Sequence, residues 1–281
     1  PEDATFVKRL RDAGAIILAK ANLAEYATDG ARGSFGGTFC NPYDTEREPG
    51  MSSAGSATSV AANLVTCAIG EETVVSIRWP ASVNSLVGLA PTEELVSRKG
   101  MMGAGLSMRT GPICRNVQDA ARILDVIAGY DPKDELTAFS IGRKPALYLK
   151  SAAAKRLDGV RIGVIREYMS KKLFSKADEQ SIDIVEHTFD DLRKLGATIV
   201  DPVHYPAQVL QGRVFVMKAV GDTEVGEQYD RHFAGLKGDY PKTLAEMLAR
   251  ADKFTEPRGR VSPYPAIYAD FKKREGSPTS S

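Results

Sequence analysis

Apolar positions recur with a helical period over residues 5–13, with Phe6, Val7 and Leu10 on one side and Lys8, Arg9 and Arg11 on the other. Gly14 is suited to stop that helix, and the apolar run at residues 15–19 reads as a short buried strand. Residues 28–50, rich in Gly, Ser, Asn and Pro, predict loop. Residues 53–64 are rich in small side chains, and Ala54, Ala57, Val60, Ala61 and Leu64 share a helical spacing that predicts a tightly packed helix. A short strand is expected at residues 64–69. The clearest helix covers residues 116–128: Asn116 caps it, Asp119 sits in its first turn, Val117, Ala120, Ala121, Leu124 and Ile127 form its buried face, and Gly129 ends it.

Residues 136–154 are weakly patterned and read as a connection. A strand at 160–165, a long helix at 175–195 and a strand at 197–200 follow. Residues 208–256 read as mainly helical, and the polar tail at 272–281 as frayed. This alternation of strand and helix indicates an α/β architecture, divided into residues 1–135 and 136–281.

The 281 residues are enough for a full core, and 37 basic against 36 acidic side chains leave a net charge of +1. Such a balance provides no global field for nucleic acid or an anionic membrane, and Lys171, Lys172 and Lys176 are too few to form a basic patch. The apolar runs are too short to span a membrane, and residues 1–4 have no signal-peptide pattern. Three cysteines, Cys40, Cys67 and Cys114, without CxxC spacing argue against a disulfide framework or a zinc site and predict three thiols in a reducing, cytoplasmic setting. His187, His204 and His232 accompany neither a Gly-x-Ser-x-Gly elbow nor an HExxH motif, so they read as surface or interface residues and no metal is implied.

The residues that carry candidate chemistry are serines. Ser52 and Ser53 lie in Pro49-Gly50-Met51-Ser52-Ser53-Ala54-Gly55, and Ser76 follows 24 positions after Ser52 in Glu72-Thr73-Val74-Val75-Ser76-Ile77-Arg78-Trp79-Pro80. A serine hydroxyl is a weak nucleophile that needs a base and donors for the developing oxyanion. Taken alone, the first segment would be a tight loop before a packed helix and the second a buried serine near a strand.

Their order, together with the flanking segments, resembles the amidase signature family. The matching stretches include Ala13-Gly14-Ala15, Leu18-Ala19-Lys20-Ala21-Asn22, Glu25-Tyr26-Ala27, Asn41-Pro42-Tyr43-Asp44, Gly88-Leu89-Ala90-Pro91-Thr92, Thr110-Gly111-Pro112 and Arg115-Asn116-Val117-Gln118-Asp119-Ala120-Ala121. The resemblance is specific over the first half of the chain and looser beyond it. It implies a mixed central β-sheet covered by helices on both faces and a Ser–Ser–Lys triad acting on amide C–N bonds. Ser76 would then be the acyl-forming nucleophile and Ser52 the bridging serine, held by a cis peptide bond. Thr73, Val74, Val75 and Ser76 would offer oxyanion amides, and Glu72 would pair with Arg78 to hold the loop. The family's lysine base would fall upstream of Pro1, which implies a fragment, while Lys20 matches a structural lysine.

Valines at 74 and 75 and Met51 stand where the family has glycine, and the valines are expected to narrow the acyl site. The implied function is hydrolysis of a small-molecule amide without a cofactor, in a chain able to form a homodimer. Two alternatives are a non-catalytic binding protein on the same fold and the glutamine-hydrolysing component of an amidotransferase. Trp79 is expected in the core, and Tyr26 and Phe35 are candidate pocket residues.

Overall fold

The computed structural model describes residues 2–27, 31–33, 35–102, 105, 107–143, 147–173, 175–205 and 226–251. Two compact units are present, Pro1–Ala152 with Ala219–Ser281, and Ala153–Lys218.

The first unit is built on a three-stranded antiparallel sheet of order β3-β5-β4, where β3 is Cys67–Glu72, β4 Val87–Gly88 and β5 Arg109–Cys114. Ala57, Ile77, Ala81 and Ile113 form a buried cluster on one face, supplied by α2 (Ala54–Ala61) and α3 (Arg78–Val83). Leu10, Val96, Leu124, Ile127 and Ala128 form another, supplied by α1 (Thr5–Asp12) and α4 (Val117–Ile127), with Ile69 and Leu89 of the sheet region packed on it. Helices thus cover both faces, in agreement with the expected α/β class. A further cluster joins Tyr229, Phe233, Leu244, Met247 and Leu248, with Tyr26 packed against it. At β5 the chain after β4 crosses very close: a Cβ on Gly111 would stand 2.0 Å from the Leu89 carbonyl oxygen, so this position requires glycine.

Several expected elements form as read. Asn116 caps α4 by accepting the Asp119 N–H at 2.8 Å, and Gly129 follows with φ 124°. Beyond α4, Asp131 accepts hydrogen bonds from Thr5 and Ser97 at 2.6 Å each, and Asp134 receives Arg98, so the start of α1 and the segment at 97–98 are tied to the end of α4. In the second unit β6 (Arg161–Gly163) pairs in parallel with β7 (Thr198–Val200) around α6 (Lys176–Lys194), as the alternation predicts.

Other expectations are corrected. Residues 15–19 form no strand: no described strand pairs with them, and Ile16 and Leu18 are 91% and 68% exposed. The strand expected at 64–69 begins at Cys67 and runs on through Glu71 and Glu72, because pairing with β5 rather than apolarity sets its limits. Leu64 and Val117 are exposed, since α2 ends at Ala61 and Val117 opens its helix on the solvent side. The stretch at 136–154 contains a 3-10 turn at Glu135–Ser140 and a short helix, α5 (Tyr148–Ala152). Residues 28–50 include a two-residue hairpin, β1 (Arg32–Gly33) with β2 (Gly37–Thr38). Within the expected helical stretch at 208–256, residues 226–234 and Leu244–Ala251 are helical; 208–225, 252–256 and the tail lie outside the described residues.

Cys67 and Cys114 are not separate thiols. They are direct partners across β3 and β5, and their sulfurs are joined as a disulfide, leaving Cys40 free and exposed. Sequence spacing gives no sign of this, because the pairing follows from strand register 47 residues apart.

Ile113 is fully buried between β5 and the α2–α3 layer. Ile113→Ala should cost about 2–5 kcal/mol, read by urea unfolding. A loss below ~1 kcal/mol would mean that this cluster does not hold the sheet to its helices.

Candidate functional site

The two serine segments meet where β3 ends and α2 and α3 begin. Gly50 turns the chain with φ 77°, and a Cβ there would lie 2.7 Å from the Pro80 Cα. The buried Asn84 amide donates to the carbonyls of Pro49 (2.9 Å) and Pro80 (2.7 Å), fastening this turn to α3. The Met51–Ser52 peptide bond is cis, as the resemblance implies, and Ser52 is buried. The Ala24 N–H donates to the Ser52 carbonyl at 3.3 Å, and the Ser53 N–H donates to the Ser76 carbonyl at 3.2 Å. Main-chain bonds thus bring together two segments distant in sequence.

Ser53 does more than its position beside Ser52 suggests. Its hydroxyl donates to the Glu71 carbonyl and accepts the Glu71 N–H, both at 3.0 Å, and Ser56 donates to the Ile69 carbonyl at 2.8 Å. The head of α2 is thereby locked onto β3. Two adjacent serines before a small-residue helix, facing a strand, are the signal for this in the sequence.

The loop carrying Ser76 is shaped from below by Glu72. This side chain is fully buried. One carboxylate oxygen accepts the N–H groups of Ile77 and Arg78, each at 3.0 Å. The other accepts Arg78 Nε at 2.8 Å and has Arg109 at 3.5 Å. Arg78 also donates to the Val74 carbonyl at 2.6 Å, and the Trp79 N–H donates to the Val75 carbonyl at 2.8 Å. The expected Glu72–Arg78 pair is present, and Arg109 and two backbone amides extend it. Anchoring by a charged acceptor is stronger than by a neutral one.

With the carbonyls of Val74 and Val75 turned to Arg78 and Trp79, the N–H groups of Val74, Val75 and Ser76 have no acceptor among the described residues. Val74 and Val75 are exposed, at 55% and 40%. Trp79, expected in the core, is 37% exposed at the start of α3. Lys20 is exposed, and its charge acts on His232, whose pKa is lowered by burial and by that lysine. Phe35 is exposed, whereas the Tyr26 ring lies 6.1 Å from that of Tyr229.

Glu71 is a residue that the sequence pattern does not single out. Side chains alternate along a strand, so two successive glutamates must face opposite sides of the sheet. Glu72 meets Arg78 and Arg109, whereas the carboxylate of Glu71 forms no ion pair among the described residues and has the Thr73 hydroxyl as its hydrogen-bond partner, at 3.4 Å. Burial pushes its pKa up from 4.5 to about 7; Thr73 opposes the rise and the charge of Glu72 adds to it.

Comparisons with known proteins fit this α/β fold. The family model described as Amidase matches residues 1–272. The A-type subunit of glutamyl-tRNA(Gln) amidotransferase from Pseudomonas aeruginosa is 36% identical over 253 residues, which cover 89% of this chain and 51% of that protein. The corresponding protein of Azotobacter vinelandii is 37% identical over 257 residues, with the same coverage of 89% and 51%. Among solved structures, native peptide amidase from Stenotrophomonas maltophilia superposes with a TM-score of 0.85 at 32% identity, covering 100% of this chain and 57% of that one. The chain belongs to the amidase family. It spans about half the length of the curated relatives it matches.

Two stability measurements check this site. Glu72→Ala should cost about 3–5 kcal/mol, because it strips a buried carboxylate from its partners, while Arg78→Ala, at an exposed side chain, should cost about 1 kcal/mol or less. Equal small losses would contradict a carboxylate-centred loop. For Glu71 the folded-state pKa is raised, so between pH 4.5 and about 7 the folded chain keeps a proton that the unfolded chain has lost, and stability falls as pH rises through that window. Glu71→Gln should therefore match wild type near pH 4 and become the more stable of the two by pH 8, as followed by urea midpoints.

Proposed function

We propose that this chain carries the nucleophile of an amide hydrolase acting through a Ser76–Ser52–lysine relay. Ser76 Oγ attacks the carbonyl carbon of a small-molecule amide while its proton passes through Ser52 to a neutral lysine, supplied by a segment upstream of Pro1. The oxyanion takes N–H donors from residues 73–76. Collapse breaks the C–N bond, and the leaving ammonia or amine takes the proton back through Ser52. Water then attacks the acyl ester, the relay holds and returns its proton, and the acid departs with Ser76 restored.

The observation that carries this reading is the Ser53–Ser76 main-chain bond beside a buried Ser52, next to backbone amides with no described acceptor. Such amides suit an oxyanion hole because they are already oriented when charge develops. No cofactor enters the scheme. The cytoplasmic setting and the homodimer belong to this proposal; the Cys67–Cys114 bond removes the three free thiols on which a reducing setting was expected, and among the described residues no helix is long and apolar enough to cross a membrane. A second reading, the glutamine-hydrolysing component of an amidotransferase, is favoured by the names of the curated relatives. The likeness in structure favours the amidase: the TM-score is 0.85 with the Stenotrophomonas maltophilia peptide amidase and 0.66 with the Thermotoga maritima glutamyl-tRNA(Gln) amidotransferase protein.

A fluorophosphonate probe, followed by peptide mass spectrometry, tests the proposal on the chain extended upstream to include the lysine segment. Labelling should fall on Ser76, vanish in Ser76→Ala and slow by roughly 10²–10⁴-fold in Ser52→Ala. Absence of any serine adduct would overturn the hydrolase and favour a binding role on the same fold.

A further inference from the structure

We propose that Glu71 is a positioning residue whose carboxyl group sets the conformation of the oxyanion segment through the Thr73 hydroxyl. The inference rests on the hydrolase reading for its consequence in catalysis, but the coupling itself is readable without catalysis.

Three observations carry it. Glu71 is fixed at its main chain, since both its N–H and its carbonyl are bonded to Ser53 Oγ, directly after Ser52. Its side chain reaches Thr73, the first residue of the segment that ends in Ser76. No cation pairs with its carboxylate among the described residues, whereas Glu72, one position on, is surrounded by donors. Glu71 therefore touches both serine segments while no cation among the described residues compensates its charge.

The surrounding charges leave Glu71 as the group able to change state here. Arg109 on β5 and Arg78 on α3 are drawn to Glu72 on the opposite face. Helix α2, packed on β3, has no ionisable side chain. On Glu71's own face, Thr110 is its cross-strand partner and donates to Met101 Sδ. Near Met101, Arg98 is held by Asp134, the Lys99 carbonyl accepts the Thr5 N–H, and His232, under the influence of Lys20, bonds the Met101 backbone. Among the described residues, the charge that acts on Glu71 is that of Glu72, and it favours the protonated form.

A charged carboxylate binds a hydroxyl more tightly than a neutral acid does. Ionised Glu71 draws Thr73 in and holds the following amides in one orientation; protonated Glu71 releases it. The transition is expected near pH 7, with the ordered segment, and faster acylation of Ser76, on the alkaline side.

Trp79, the single tryptophan, reports on this segment because its N–H is bonded to the Val75 carbonyl. Its fluorescence should be recorded from pH 5 to 9 in the chain and in Glu71→Gln, Thr73→Val and Ser76→Ala, and the rate of fluorophosphonate labelling followed in parallel in the upstream-extended form. The expected result is a fluorescence transition near pH 7 that persists in Ser76→Ala and disappears in both Glu71→Gln and Thr73→Val. If Glu71→Gln fails to fold, Thr73→Val carries the same test. A transition that survives the available variants, or none in the unsubstituted chain, overturns the proposal. A transition lost as expected with no labelling in any form would uphold the coupling and remove the hydrolase reading.

Discussion

The turn that presents Ser76 depends on one buried carboxylate. Glu72 is the last residue of β3, and its two oxygens collect the amides of Ile77 and Arg78, where α3 begins, together with two arginines. A buried charge is tolerable only when its hydrogen-bonding capacity is filled. That requirement fixes the backbone from Val74 to Arg78. It turns the Val74 carbonyl toward Arg78, and the N–H groups of Val75 and Ser76 are left without an acceptor among the described residues. Under the proposed function, these amides are the donors that would meet a developing oxyanion at Ser76.

The second segment is positioned by neutral hydrogen bonds. Ser53, Ser56 and Asn84 each bridge elements distant in sequence: α2 to β3 through the serines, and the Gly50 turn to α3 through the amide. Gly50 permits the close approach to Pro80. Around these bonds the two apolar clusters on opposite sheet faces hold the strands, so the corner is stiff where the serines meet while exposed residues such as Val74, Val75 and Trp79 line its open side.

Much of this was legible in the sequence, for identifiable reasons. The periodicity of α1, α4 and α6 and the cap at Asn116 depend only on local spacing, and these elements formed where expected. The serine segments carried their own signature in order and spacing. Features set by partners distant in sequence were not legible. The run at 15–19 has the composition of a strand, but a strand exists only with a neighbour, and no described strand pairs with it. Cys67 met Cys114 through register, not spacing. Trp79 was exposed although its composition suggested core, because α3 is short and begins at the rim of the serine turn. Glu71 was not singled out, because its distinct environment comes from the alternation of strand faces, which gives the two adjacent carboxylates opposite surroundings.

The central claim is that the Glu72-organised turn is an oxyanion-binding surface around a nucleophilic Ser76. A crystal structure of the upstream-extended protein after reaction with a fluorophosphonate tests it most directly. The account predicts phosphorus bonded to Ser76 Oγ, with its non-ester oxygen within roughly 2.7–3.1 Å of amide nitrogens in residues 73–76. Phosphorus on another residue, or that oxygen turned away from these amides, would contradict it.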